Sequence, residues 1–238
     1  MSEQQKHTGK EADFKSYKSK FVPFLLDSGA LTFGDYTLKS GRQSPYMVNT
    51  GAFNTGPKLS RLGCFYAKAI HEKIELGILP QAPDIIYGAA YKGIPLAAAV
   101  AIAFSCVSDE EVGYCFNRKE AKDHGEGGRL VGMKPQPGQG ILIIDDVMTA
   151  GTALRETLDV LRREAPEARI LGCVIAVDRR ERGTDKLSAV AQAQYEHGFP
   201  VFSIVDIDDI VAALKADKLA TPAEVAAIER YLLEYKAE

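Results

Sequence analysis

The chain has 238 residues, of which 46% are apolar, enough for a sizeable core in one or two domains. Its 29 Lys and Arg are outnumbered by 32 Asp and Glu, and this mild net negative charge disfavours general nucleic-acid binding. The N-terminus is polar, which argues against a secretory signal. The longest apolar run, 94–104, is too short to predict a membrane span. The four cysteines form no CxxC pair, which favours reduced thiols in a cytoplasmic protein.

Short apolar segments alternate with amphipathic helical patterns through the middle of the chain. The run Ile141–Ile144 is apolar on both faces, as a central parallel strand should be. Leu154, Leu158 and Leu161 follow at helical spacing and form one apolar stripe. This alternation predicts an α/β fold with a mostly parallel sheet flanked by helices. The predicted strands are 84–87, 113–116, 140–144, 170–177 and 201–204.

The two ends of the chain depart from this alternation. Residues 14–28 have an amphipathic helical pattern and 31–49 a turn-punctuated, strand-like one, so 14–55 is predicted to form a small N-terminal subdomain. Near the C-terminus, Thr221-Pro-Ala-Glu224 is a capping box that begins a helix. Since no linker interrupts the chain, we predict a flexible tail over 1–13 and a single domain over 14–238.

The most informative segment begins at Ile141 and runs to Ala153. A buried strand ends in two acids, Asp145 and Asp146, and a small turn then leads into a helix. Backbone N–H groups of such a turn, with the threonine hydroxyls, bind a phosphate over 149–153. The two carboxylates suit the vicinal hydroxyls of a ribose or a nearby Mg²⁺. The segment therefore predicts a sugar-phosphate site.

Two other interpretations compete for this segment. In the first, the turn binds no ligand and the two acids only cap the helix that follows. Apolar residues before Asp-Asp also resemble the Walker B strand of a nucleotide triphosphatase, which requires GxxxxGK[ST] upstream. The nearest string, Gly51–Gly56, is followed by Pro57-Lys58-Leu59 and lacks the required lysine and hydroxyl. We therefore exclude the triphosphatase.

Three motifs together resemble a known family. The segment 141–153 is similar to the phosphoribosyl-diphosphate motif of type I phosphoribosyltransferases, and two further strings, 38–46 and 114–128, resemble those of the orotate phosphoribosyltransferases. The resemblance implies the type I phosphoribosyltransferase fold, with the N-terminal subdomain as its hood. It also implies a Mg²⁺-dependent, homodimeric enzyme of pyrimidine (UMP) biosynthesis that uses phosphoribosyl diphosphate and orotate.

The same resemblance implies a role for individual residues. Lys122, in a charged and glycine-rich loop over 118–129, is expected to stabilise the departing pyrophosphate or to donate a proton to it. In the family this loop completes the neighbouring subunit's site. Asp145 and Asp146 hold the ribose and share the catalytic role. The expected contacts to phosphoribosyl diphosphate are Lys39, Tyr91, Lys92, Arg118, Lys119, Lys122, His124, Asp145, Asp146, Val147, Met148, Thr149, Ala150, Gly151, Thr152 and Ala153.

The base is expected to meet a second group of residues. A guanidinium binds a carboxylate bidentately, and Arg179 matches the family residue that takes the carboxylate of orotate. Thr149 is expected near the base, and Phe33 is either an aromatic wall or a core residue. Met47 and Val48 stand where the family pattern has aromatic residues, so a stacking contact to the orotate ring is in question.

The predicted reaction passes through an oxocarbenium-like transition state and needs no covalent nucleophile. Mg²⁺ is expected to bind mainly through substrate oxygens and water, with no strong protein ligand. Two alternatives are a transferase for another base, which Arg179 and the 38–46 motif disfavour, and a regulator that senses phosphoribosyl diphosphate. The regulator would need a DNA-binding module, and the N-terminal segment has only one predicted helix.

Overall fold

The computed structural model describes residues 17–38, 40–122, 128–183 and 186–237, with the side chains of 120–122 and 128 left undescribed. Two compact units are present. We call Thr55–Ala176 with Ala189–Ile204 the sheet unit. The terminal unit comprises the chain up to Asn54, Val177–Ser188 and the segment from Val205 onward. The predicted tail, Lys39, His124 and the side chain of Lys122 lie outside the described part of the chain.

Strands and helices alternate through most of the chain, as predicted, except that β4, β5 and β6 follow one another without a helix between them. The helices are α1 (17–27), α2 (Gly56–Glu75), α3 (Gly93–Ser108), α4 (Thr152–Glu164), α5 (Ala189–His197), α6 (Ile207–Ala216) and α7 (Pro222–Tyr235). The strands are β1 (Leu31–Thr37), β2 (Gln43–Val48), β3 (Ile85–Gly88), β4 (Gly113–Lys122), β5 (Gly128–Gly132), β6 (Gly140–Ile144), β7 (Arg169–Asp178) and β8 (Val201–Asp206). Every predicted strand is present, with ends shifted by up to a few residues except in β4.

A six-stranded sheet has the order β5-β4-β3-β6-β7-β8. β3 pairs in parallel with both β4 and β6, and β6 pairs in parallel with β7. At one edge, β5 pairs antiparallel with β4. The mostly parallel sheet predicted from the sequence is thus confirmed.

The core of the sheet unit forms around β6. All five residues of Gly140–Ile144 are buried, as the two-sided apolar pattern predicted. Leu154, Leu158 and Leu161 of α4 pack into the same cluster and are almost fully buried. Each such leucine contributes about 1.5–3 kcal/mol by leaving water, so this stripe fixes α4 against the sheet.

The terminal unit contains the helix and strands predicted at the N-terminus. β1 and β2 pair antiparallel, and buried Phe21 and Leu25 give α1 its apolar stripe. At the other end, the Thr221 hydroxyl caps α7 by accepting a hydrogen bond from the Glu224 amide, as predicted. No helix in the described ranges is long and apolar enough to cross a membrane.

The prediction of a loop over 118–129 was wrong at both ends. β4 continues to Lys122 and β5 begins at Gly128, and these two residues pair across the antiparallel strands. From the charged composition, we expected the backbone N–H and C=O groups of this segment to face solvent. Pairing between β4 and β5 provides hydrogen-bond partners for those near Lys122 and Gly128. A register shift between Asn117 and Lys122 accompanies this extension.

Candidate active site

The two adjacent acids follow β6 at the carboxyl end of the sheet, where ligands of parallel sheets bind. The Asp145 backbone is held from two sides: its N–H donates to the Val174 carbonyl at 3.0 Å, and its carbonyl accepts from the Tyr66 hydroxyl at 2.7 Å. The Asp146 carbonyl accepts from the Ala176 N–H at 2.8 Å. Both acids are therefore fixed by β7 and α2 before any ligand binds.

The two carboxyl groups differ in their environment. Asp145 Oδ1 accepts from the Asp146 N–H at 2.8 Å, and Asp146 Oδ2 forms an ion pair with Lys92 Nζ at 3.1 Å. Burial raises the pKa of Asp145 to about 6; the hydrogen bond from the Asp146 amide opposes this, and the Asp146 charge adds to it. Asp145 thus changes its protonation state around pH 6.

The turn between the acids and α4 has the features of an anion site. Thr149 and Ala150 are exposed, and Gly151 adopts a left-handed conformation, φ 67°, that favours glycine at the helix N-cap. Arg155, which the sequence interpretation missed, donates from Nη2 to the Ala150 carbonyl at 2.6 Å. The Met148 side chain packs against the core of the sheet unit.

The segment after β3 approaches the start of α3 closely. A Cβ on Gly88 would lie 2.1 Å from the Gly93 carbonyl oxygen, so only glycine fits there. Asn117 of β4 was also missed from sequence. Its Oδ1 accepts from the Tyr87 hydroxyl and from the Ala90 N–H, both at 3.1 Å. Asn117 therefore ties the 89–92 segment to the sheet.

Cationic side chains surround this segment. Lys119 Nζ lies 4.7 Å from the centre of the exposed Tyr91 ring. Arg118, Lys119 and Ala153 line a cavity of about 440 Å³. The remaining lining residues are Ala89, Ala90, Asn117, Arg129, Glu156, Thr157, Asp159, Val160 and Arg163. The structure thus brings predicted residues from 91–92, 118–119 and 145–153 into one region of the sheet unit.

The residues predicted to meet the base are divided between the units. Thr149 belongs to the sheet unit, whereas Met47, Val48 and Arg179 belong to the terminal unit. Met47 and Val48 are half-buried in β2, opposite Thr32 and Leu31 of β1. Half-buried Phe33 pairs with Tyr46 in the same hairpin.

Comparison with known proteins agrees with this architecture. The phosphoribosyl transferase domain family matches residues 50–202. An orotate phosphoribosyltransferase of Bifidobacterium adolescentis is 48% identical over 93% of this chain and 99% of its own length. One from Pseudomonas savastanoi pv. phaseolicola is 47% identical at the same coverage. The crystal structure of orotate phosphoribosyltransferase from Francisella tularensis superposes with a TM-score of 0.77 at 34% identity, over 92% of this chain and all of that one.

A parallel sheet with paired acids and a glycine turn at its carboxyl edge is the architecture of a phosphoribosyltransferase. With relatives this similar over nearly the whole length, the chain belongs to the orotate phosphoribosyltransferase family.

Proposed function

We propose that this chain transfers the 5-phosphoribosyl group from phosphoribosyl diphosphate to N1 of orotate, giving orotidine 5′-phosphate and pyrophosphate in pyrimidine (UMP) biosynthesis. The observation that carries the proposal is the 48% identity to an orotate phosphoribosyltransferase over 93% of this chain and 99% of the relative. The bond from C1 of the ribose to the diphosphate breaks, and its electrons leave with pyrophosphate. N1 of the base bonds to C1 and releases its proton to pyrophosphate or solvent.

The described residues support distinct parts of this reaction. Asp145 and Asp146 are set to accept hydrogen bonds from the ribose hydroxyls, while the turn over 149–153 offers backbone donors to the 5-phosphate. Lys92, Arg118 and Lys119 supply positive charge for the diphosphate. We keep Lys122 as the predicted stabiliser of the departing pyrophosphate and His124 and Lys39 as predicted contacts.

Mg²⁺ belongs to the same proposal. Within the described residues no group of three or more His, Cys, Asp or Glu is arranged to hold a metal ion, and Asp146 is already paired with Lys92. This donor set fits an ion held mainly by substrate oxygens and water, with Asp145 and Asp146 nearby. When bound, the ion supplies charge neutralisation for the diphosphate.

The homodimer, the cytoplasmic location and the single domain over 14–238 also remain proposals. In the dimer, the hairpin around 118–129 would complete the neighbouring site. The four cysteine thiols are free, which supports a reducing compartment.

The test is orotate consumption, followed by ultraviolet absorbance. We expect turnover only when both phosphoribosyl diphosphate and Mg²⁺ are present. Parallel reactions with uracil, adenine or hypoxanthine test the alternative of a transferase for another base. Faster turnover of one of those bases than of orotate would replace the proposed substrate, and no turnover of any base would refute the transferase.

A further inference from the structure

The guanidinium of Arg179 is held by a dense set of contacts within the terminal unit. Its Nε donates to Glu181 Oε1 at 2.8 Å, and its Nη2 lies 2.6 Å from the same oxygen. Nη2 also donates to the Ser44 hydroxyl at 3.1 Å. The guanidinium carbon lies 4.2 Å from the centre of the Tyr46 ring, so one face of the group is covered.

Glu181 is itself anchored. Its Oε1 also accepts from the Tyr46 hydroxyl at 3.3 Å, and its Oε2 lies 3.8 Å from Arg42 Nη1. Its backbone forms an antiparallel bridge with Lys236, the residue directly after α7. Since Tyr46 is fully buried, the hydroxyl that contacts Glu181 belongs to a rigid part of the unit.

This arrangement divides the guanidinium into two edges. Glu181 and Ser44 engage the edge formed by Nε and Nη2, and neither of them engages Nη1. The side chains of Arg179 and Glu181 are each 14% exposed, and Tyr231 interacts electrostatically with both. A ligand carboxylate that reaches Arg179 either meets Nη1 while Glu181 stays in place or displaces Glu181 from the other edge. The two cases give opposite effects when the charge of Glu181 is removed.

We propose that Glu181 is a positioning residue for substrate selection, which holds Arg179 by its Nε and Nη2 edge and thereby presents Nη1 to the carboxylate of orotate. The inference rests on the proposed function, because it assigns Arg179 to the base. Anchoring by the β-bridge, by Tyr46 and by Arg42 favours holding over displacement, because movement of the Glu181 side chain would break the hydrogen bond from Tyr46 and the ion pair with Arg42. A guanidinium ordered in advance also loses less conformational entropy when its ligand binds.

The test is the Glu181→Gln variant, which retains the shape of the side chain without its charge. We expect KM for orotate to rise about tenfold, the scale of one lost charged hydrogen bond, while kcat and KM for phosphoribosyl diphosphate stay within about twofold. Inhibition by orotidine 5′-phosphate should weaken to the same degree. Inhibition by uridine 5′-phosphate, which lacks the carboxylate, should be unchanged.

Two further variants complete the experiment. Glu229→Gln, which removes the exposed ion pair of α7 with Lys215, is the matched control and should behave as wild type. Tyr46→Phe removes only the hydroxyl that contacts Glu181 and should shift orotate KM in the same direction by a smaller factor, which provides a second test if Glu181→Gln does not fold.

Three outcomes would overturn the inference: an orotate KM that falls, one that does not change, or an equal loss of affinity for both nucleotides. A fall would mean that Glu181 competes with the substrate, and an equal loss would mean a general structural role. Failure of the proposed function is distinguishable, because the wild-type chain would then not turn over orotate at all.

Discussion

Asp145 carries its carboxyl group at the end of β6, half-buried and next to a second acid. Burial raises its pKa to about 6, whereas the proposed contact to the ribose hydroxyls needs the ionised form. The ionised fraction falls about tenfold for each pH unit below that value. We therefore predict that KM for phosphoribosyl diphosphate rises as the pH is lowered from 7 to 5, measured by initial rates at saturating orotate.

The raised pKa of Asp145 also makes the stability of the fold depend on pH: a higher pH favours the proposed ribose contact but lowers stability. Because the folded chain binds the Asp145 proton more tightly than the unfolded chain, stability from this group falls as the pH rises from about 4 to 6. Asp145→Asn should thus raise the free energy of unfolding above pH 6 while it lowers activity. Asp217→Asn, an exposed acid after α6, is the control. A variant with unchanged stability at pH 8 would contradict the assigned burial cost.

Asn117 is the residue that positions the 89–92 segment. Asn117→Ala leaves the Tyr87 hydroxyl and the Ala90 N–H without their acceptor, which costs about 1–3 kcal/mol of stability. We also predict a several-fold higher KM for phosphoribosyl diphosphate, because the segment carrying Tyr91 and Lys92 loses the hydrogen bond that joins Ala90 to the sheet. Tyr87→Phe removes one donor but keeps the tie to Ala90, and should alter stability alone. Identical kinetics for Asn117→Ala and wild type would refute this role.

At the scale of elements, the contact between β3 and α3 depends on glycine. In Gly88→Ala the new methyl group would lie 2.1 Å from the Gly93 carbonyl oxygen, so the strand end and the helix start must separate. We predict a loss of about 1–3 kcal/mol in the free energy of unfolding, typical of overpacking, measured by urea denaturation.

Gly56→Ala at the start of α2 is the matched control, because a Cβ there meets nothing within 4 Å. It should be neutral or slightly stabilising. Equal denaturation midpoints for the two variants would show that the strand and helix tolerate the displacement.

The charged segment 118–129 shows that composition alone does not determine secondary structure. The sequence of 118–129 predicted a solvated loop, yet β4 and β5 extend into it by pairing Lys122 with Gly128. The pairing depends on a partner strand that composition does not reveal. Arg118 and Lys119 consequently stand on a strand, which restricts their positions more than a loop would.

At the scale of the whole molecule, the proposed dimer predicts complementation between two inactive variants. If the hairpin of one subunit completes the site of the other, mixing Lys122→Ala with Asp145→Asn chains forms heterodimers with one intact site. Random reassociation of equal amounts then restores about a quarter of wild-type activity, because half of the dimers are mixed and each has one working site of two.

Activity should return only after the two chains are dissociated and reassociated together. Each variant dissociated and reassociated alone is the control and should stay inactive. A mixture without activity, despite mixed dimers seen by mass spectrometry, would place Lys122 and Asp145 of one subunit in the same site.

Several features of the fold and site were predictable because they depend on local pattern. The strand Ile141–Ile144 is apolar on both faces, and both faces are removed from water only in the middle of a covered sheet. The capping box at Thr221 forms its hydrogen bonds with Glu224, three residues along the chain. Asp145, Asp146 and Gly151 were found for a similar reason, since adjacent acids and a glycine turn are contiguous in the chain.

The sequence by itself thus determined the parallel α/β architecture, the position of the paired acids and glycine turn after β6, and the family of the chain. Only the tertiary structure decided the pKa of Asp145, the tie from Asn117 to Ala90, and the partner that holds Arg179 through its Nε and Nη2 edge. The physical reason is that burial and hydrogen bonding depend on residues far apart in the chain. Asn117 lies 27 residues from Ala90, and Arg179 lies 135 residues from Ser44.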